Sequence, residues 1–343
     1  MYLWYKILFD DPGLRTTFRE LSNCMEWVQS LSWSRLYCKS FVKLEPHMKA
    51  DKDLNSQQEH LSSTSYDLRI TNLARFIYRK ITFCHPEFIS GSKKKTPKQV
   101  RHDDTSPLDS QDKRFLDVGA GNGLFLKFFK AKGFKVAGFE LEKQNVQNMK
   151  RDPILTHENI TQGDITKLTG KQEYDVVMAS DVIEHIRDDV LAIKNLWSFV
   201  KPDGLMIITV PAHSFLYGKR DEKWGHYRRY DMKVLLEKIE NAICSSVIPD
   251  LDRESMDPRI REDDSVGYHV VFATQWNIVG FYLYFLFEKI LHKPINENMR
   301  YSNSLLSRSI RTILDKILRL EEMLGGVPLG LTLVVGVRKV CQS

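Results

Sequence analysis

The sequence predicts an α/β fold, a doubly covered parallel sheet with helices on both faces, from two observations. Between residues 114 and 242, apolar runs of strand length alternate with helix-length amphipathic segments across short loops. That rhythm marks a parallel sheet covered on both sides. The first strand also runs straight into a glycine-rich loop, DVGAGNG, at 117–123. Ligands of open α/β sheets bind beyond the carboxyl ends of the strands, at such a loop.

The elements follow in order. DLRITNLARFIYRKI, 67–81, spaces Leu68, Ile70, Leu73, Phe76, Ile77 and Ile81 helically with Arg and Lys between them, and predicts an amphipathic basic helix. RFLDVG (114–119) is a strand, and NGLFLKFFKAKG (122–133) is a helix ended by Gly133. KVAGFE (135–140) is a strand and KQNVQNMKR (143–151) a helix; a third strand is expected before Asp164. YDVVMAS (174–180), DDVLAIKNLWSFV (188–200) and GLMIITVPA (204–212) read as strand, helix and strand. YDMKVLLEKIENA (230–242) adds a helix, YHVVFAT (268–274) a sixth strand and GLTLVVGVRK (330–339) the closing strand. WNIVGFYLYFLFEKIL (276–291) and NSLLSRSIRTILDKILRLEEML (303–324) are helical, the second with Leu306, Ile310, Ile313, Ile317 and Leu320 on one face.

Two stretches break the rhythm, 84–105 and 245–266. Both are polar and aperiodic, and both are expected to be exposed loops or disordered inserts. VIPDL followed by MDPRIREDD resembles translated palindromic repeat elements that land in frame inside bacterial genes. Residues 1–66 are an unassigned N-terminal extension and linker, and 67–343 form one domain.

Composition bounds the partners. The net charge of +6 is scattered rather than striped, so no DNA partner is expected, while an anionic membrane surface is permitted. None of the five cysteines forms a CxxC pair, which suits a reducing cytosol, and no metal is expected. The apolar start, MYLWYKILF, is too short for a secretory leader, and no run reaches the roughly 18 apolar residues of a membrane span. A cytoplasmic protein is therefore expected, one that can work at the inner face of the membrane.

The glycine loop contains an acid. A carboxylate at Asp117 would repel a pyrophosphate, and Leu124 stands where a dinucleotide loop needs its third glycine. A nicotinamide-dependent dehydrogenase is thus disfavoured. A cationic ligand such as S-adenosylmethionine, with its sulfonium and ammonium groups, suits an acid beside glycines that let the backbone come close. Glu140 ends the second strand, where a carboxylate can accept two ribose hydroxyls. Asp164 follows the third strand, and Ser180 ends the fourth.

The ordered set DVGAGNG, FE, GDI and YDVVMASDVIEHI resembles the class I S-adenosylmethionine-dependent methyltransferases, in the branch that includes the ubiquinone-biosynthesis O-methyltransferases. The resemblance spans 112–242. It implies a Rossmann-like seven-stranded sheet with helices on both faces and an antiparallel last strand at 330–339, S-adenosyl-L-methionine as cofactor, and cofactor contacts at Asp117, Gly119, Ala120, Gly121, Gly123, Glu140, Leu141, Asp164, Ile165 and Ser180. Ala120, often a cysteine in the family, is a departure of no evident cost.

On the substrate side, PAHSFLYGKRDEKWGHYRRY (211–230) concentrates histidine, aromatic and basic residues. Asp221, Gly225, His226, Arg228, Arg229 and Tyr230 resemble a bacterial branch with a GHxRRY signature. The expectation is His226 with Asp221 as catalytic residues, and His213, Tyr217, Arg228, Arg229 and Tyr230 as substrate contacts. Asp181, Glu184 and His185 in SDVIEHI are expected to support the loop. The acceptor is expected to be a small molecule or a lipid-linked one, polyprenyl-glycan or quinone-like. The 276–324 helices would then form a lid, with peripheral membrane contact through 276–291. The alternatives are a non-catalytic binding protein that keeps the fold, and a methyltransferase for protein or RNA.

Overall fold

The protein is described by a computed structural model over residues 68–84, 112–247, 267–291 and 305–340. Residues 1–66, nearly all of both inserts, and the segment 292–304 within the expected lid lie outside the described residues.

Seven strands form one sheet: β1 (Arg114–Val118), β2 (Lys135–Glu140), β3 (Asn159–Gln162), β4 (Tyr174–Ser180), β5 (Val200–Pro211), β6 (Tyr268–Trp276) and β7 (Thr332–Lys339). Their order is β3-β2-β1-β4-β5-β7-β6. β1 to β5 pair in parallel, and β7 runs antiparallel to both β5 and β6. The chain reverses its winding between β1 and β4, so two loops diverge there and leave a crevice at the carboxyl ends.

Alternation along the strands builds the two covered faces. Leu116, Val177, Ile208 and Val335 point to one side, against the helices Asp189–Phe199 and Met232–Val247. Phe115, Val176, Ile207 and Val334 point to the other, against the helices Leu68–Cys84 and Leu124–Ala131. Residues with period two on a strand must part in this way, and a sheet buried on both sides is apolar throughout. The basic helix of the sequence thus lays Leu73, Phe76, Ile77 and Ile81 on the sheet with no measurable exposure beyond 1%.

The C-terminal elements differ from the sequence expectation. Trp276 ends β6 instead of opening a helix. The helix starts at Ile278 because Asn277 turns the chain with φ 71° and caps it through Oδ1, which accepts from Gly280 N at 2.8 Å. Buried Glu321 accepts from the backbone N–H groups of Asn277 and Ile278 at 2.7 and 3.1 Å. The helix Leu305–Leu324 is bound to the first helix by Asn72 donating to Asp315 (3.0 Å) and by the pair Arg79–Glu322 (3.7 Å). It packs through Leu314 and Leu318, while Ile313 and Leu320 of the expected apolar face are exposed.

Residues 65–283 and 296–343 make one compact unit. Tyr284–Ile295 belong to a second, of which 284–291 are described: the π-helical stretch Phe285–Ile290 and its flanking residues. No helix among the described residues is long and apolar enough to cross a membrane.

Candidate cofactor and acceptor site

The glycine loop is a tight reversal. Gly119, Gly121 and Gly123 all have positive φ, at 75°, 55° and 76°. That backbone is costly for any residue with a Cβ. Gly119 N and Ala120 N both donate to Phe139 O, at 2.8 and 3.0 Å, fastening the loop to the end of β2. Glu140 completes the fastening: Oε2 accepts from Gly121 N at 2.7 Å and Oε1 from Glu142 N at 2.9 Å. A Cβ on Gly121 would meet nothing within 4 Å, so the space beside it is free for a ligand.

Asp117 lies within β1, paired with Gly138 and Met178 on either side. Its residue is 1% exposed, and Oδ2 has no hydrogen-bond partner. Burial, aided by the Glu140 charge, pushes its carboxyl up to about 7. A buried, unpartnered acid at the mouth of a glycine cradle is a demand for a donor or a cation. The residues therefore fit the sulfonium and ammonium groups of S-adenosylmethionine.

The remaining residues expected to contact the cofactor divide. Leu141 is 63% exposed beside Glu140, and Ile165 is buried in the core. Asp164 uses Oδ1 for Thr166, accepting from its N–H at 3.0 Å and its hydroxyl at 2.7 Å, which holds its carboxyl below the ordinary range. Ser180 Oγ bonds Thr209 Oγ1 at 2.8 Å across β4 and β5.

The loop after β5 is more ordered than its composition suggests. Asp221 has no exposure and sits at its centre. It accepts from Gly218 N (3.1 Å), from Arg229 Nε on both oxygens (2.9 Å), and pairs with His226 Nδ1 (3.0 Å). A short helix, Lys219–Lys223, absent from the sequence reading, carries this acid. Tyr217 donates its hydroxyl to His226 O at 2.9 Å. Arg228 and Tyr230 converge on Asp189, at 2.7 Å each, together with Lys238 at 2.9 Å. His213 is 2% exposed, its Nε2 3.1 Å from Gly330 O, and burial takes its pKa down to about 4. Of the expected substrate contacts, Arg229, Tyr230 and His213 are thus buried in framework bonds, and Arg228 is largely engaged.

Asp189 was missed in the sequence because nothing local marks it; only the fold brings Arg228, Tyr230 and Lys238 to it. Arg69 was missed likewise, and reaches Asp181 at 2.7 Å from 112 residues away. The motif SDVIEHI places Glu184 and His185 in a short 3-10 turn, Ile183–His185. His185 lies edge-on to His226 with ring centres 4.6 Å apart.

Residues 94–245 match the family model described as a methyltransferase domain. Over 116 residues the chain is 32% identical to the ubiquinone biosynthesis O-methyltransferase of Rickettsia typhi, covering 32% of this chain and 44% of that protein. Its counterpart in Parvibaculum lavamentivorans is 25% identical over 147 residues, covering 40% and 58%. The chain thus spans about half the length of these curated relatives. A methyltransferase structure from Mesorhizobium loti is similar with TM-score 0.41 and 13% identity, covering 66% of this chain and 90% of its own. One from Archaeoglobus fulgidus is similar with TM-score 0.39 and 14% identity, covering 84% of this chain and 100% of its own. The glycine cradle and strands β1 to β5 fall within the residues that match the methyltransferase-domain model.

Proposed function

We propose that the protein binds S-adenosylmethionine at the β1–β2 end of the crevice and transfers its methyl group to a hydroxyl acceptor held beside the loops after β4 and β5. The observation that carries the reading is Asp117, an acid buried without a partner next to three left-handed glycines. The cofactor supplies a methyl carbon already activated by its sulfonium. The protein's task is then to position the acceptor and to exclude water.

Each residue's part follows from its place. Asp117 would take the cationic side of the cofactor, directly or through water. Glu140, held rigid by Gly121 N and Glu142 N, keeps further lone pairs for hydroxyl donors. Asp164, tied into its own turn, is a weaker contact. On the acceptor side His226 is the polar group whose orientation is fixed, because Asp221 holds its Nδ1. Arg229, Arg228 and Tyr230 keep that loop in shape.

The sequence similarity to ubiquinone biosynthesis O-methyltransferases supports an oxygen acceptor. A small or lipid-linked acceptor is consistent with the exposed apolar side chains of Tyr282 and Leu283, which would meet a lipid surface near the cytoplasmic face.

Calorimetric titration with S-adenosylmethionine, with NAD as control, tests the cofactor. Micromolar binding of the first alone is expected, and binding of NAD alone would overturn the reading. Flotation with anionic vesicles tests the lipid contact; protein remaining at the bottom would remove it.

A further inference from the structure

The loop after β5 sorts its side chains between inside and outside. Asp221, His226 and Arg229 are buried, the last two bonded to the first. Between Asp221 and His226 the chain turns at Gly225, with φ 75°. Trp224 and Tyr227, on either side of that turn, are left outside at 43% and 48% exposure. A large ring in water forgoes a large apolar burial, so two of them on one turn need a reason.

Each ring carries a guanidinium. Arg220 lies over Trp224 at 4.3 Å, and Arg187 and Arg228 lie over Tyr227 at 5.5 and 5.9 Å. The loop is tied to the turn after β4, since Arg228 Nη2 donates to Arg187 O at 2.9 Å and Tyr227 N donates to Glu184 O at 2.8 Å. Arg228 is also paired with Asp189 at 2.7 Å. Arg187 differs: among the described residues no ion pair takes its charge, and the adjacent Asp188 accepts from Leu191 N at 3.0 Å. A merely solvated face has loose side chains, whereas ring and guanidinium here hold each other in place. A guanidinium held over a ring still has N–H donors to offer, in the fork that matches phosphate oxygens.

We propose that this surface holds the methyl acceptor through a phosphate group, so that the acceptor is a phosphate ester whose cyclic part lies against Trp224 and Tyr227. Arg187 and Arg220 take the phosphate oxygens. The local charge suits an anion: the cations Arg187, Lys219, Arg220 and Lys223 stand against the exposed acids Asp188 and Glu222. The surface runs on into the acceptor end, because Trp224 lies edge-on to His226 with ring centres 5.8 Å apart. An ester anchored on the guanidiniums can therefore bring a hydroxyl toward His226. The inference rests on the methyl-transfer reading above and names the chemistry of its acceptor. A phosphate ester can be a soluble molecule or the head of a lipid-linked one, and the surface reads the group they share.

The test probe is phenyl phosphate, which joins a ring to a phosphate. It is titrated calorimetrically into the full chain beside inorganic phosphate and phenol, and should bind more tightly than either. Arg187→Ala and Trp224→Ala, both at exposed positions, should each weaken it by about tenfold or more while leaving thermal unfolding unchanged. Arg187→Lys should recover only part of the loss, since an ammonium lacks the fork. Phosphatidylcholine vesicles with and without a polyprenyl diphosphate form the second arm. Capture by the doped vesicles alone, lost in the two alanine variants, assigns the phosphate to a lipid-linked acceptor; binding of phenyl phosphate without capture assigns it to a soluble one. Binding in neither arm, or binding unaltered in both alanine variants, overturns the surface. Oligouridine that binds more tightly as it lengthens would assign the surface to nucleic acid and overturn the small acceptor. Titration with S-adenosylmethionine on the same samples separates the two readings: phosphate binding without cofactor binding keeps the surface and removes methyl transfer, and the converse removes the surface alone.

Discussion

Two aspartates, Asp117 and Asp221, are equally buried, at 1% and 0% exposure, and have opposite surroundings. Asp221 is surrounded by donors: an arginine on both oxygens, a histidine and a backbone amide. Asp117 has an oxygen with none, and the charge that acts on it is the like-charged Glu140. Asp221 is used up in holding a loop. Asp117 is held by the sheet and retains its need. Burial does not distinguish a framework acid from a ligand-binding one; the state of its lone pairs does.

The contrast breaks most sharply at Asp221. Asp221→Ala leaves Arg229 buried and uncompensated, and should lower the unfolding free energy by about 3 to 5 kcal/mol. Chemical denaturation measures it. A loss below about 1 kcal/mol would mean that the loop does not depend on this acid.

Asp117→Asn should act on the ligand instead. Affinity for S-adenosylmethionine should fall by about 1.5 to 3 kcal/mol, the worth of a hydrogen bond to a charged group. The fold should tolerate the change. Because the native carboxyl titrates at about 7, above the 3.8 of an ordinary aspartate, the folded chain holds a proton that the unfolded chain has released between those values. Stability from this group is therefore present below pH 4 and lost as pH rises through 7. At pH 8 the Asn variant should be as stable as its parent or more so, by thermal unfolding.

The same titration governs binding. A cationic ligand selects the ionised acid, so cofactor affinity should rise by roughly tenfold from pH 6 to pH 8 and then level off. The Asn variant should show no such rise. A parent profile that is flat, measured by calorimetry in buffers of differing ionisation heat, would separate Asp117 from the ligand.

Asp164 gives the smallest effect. Its Oδ1 is already occupied by Thr166, so Asp164→Ala should reduce cofactor affinity by about 0.5 to 1.5 kcal/mol or less. A loss as large as that at Asp117 would place Asp164 with the unpartnered acids.

Much of the cofactor half was legible in the sequence. Apolar strands give the sheet, since a strand buried on both faces leaves a continuous run such as YDVVMAS, which β4 reproduces residue for residue. Three glycines at alternate positions anticipate three left-handed residues, because few other residues take that backbone at low cost. The loop after β5 was legible in composition but not in use. Its histidines and arginines suggested a binding surface, and tertiary contacts turn Arg229, Tyr230 and His213 inward.

The sequence by itself determined the fold class and the place of the glycine cradle, because these rest on local periodicity and backbone conformation. Only the tertiary structure decided which polar groups are spent and which are left over. Asp189 collects partners 39 to 49 residues away, Arg69 crosses 112 residues to Asp181, and Glu184 meets His226 across two loops with nothing to bond. Hydrogen-bond satisfaction is a property of three-dimensional neighbours, and no spacing along the chain records it.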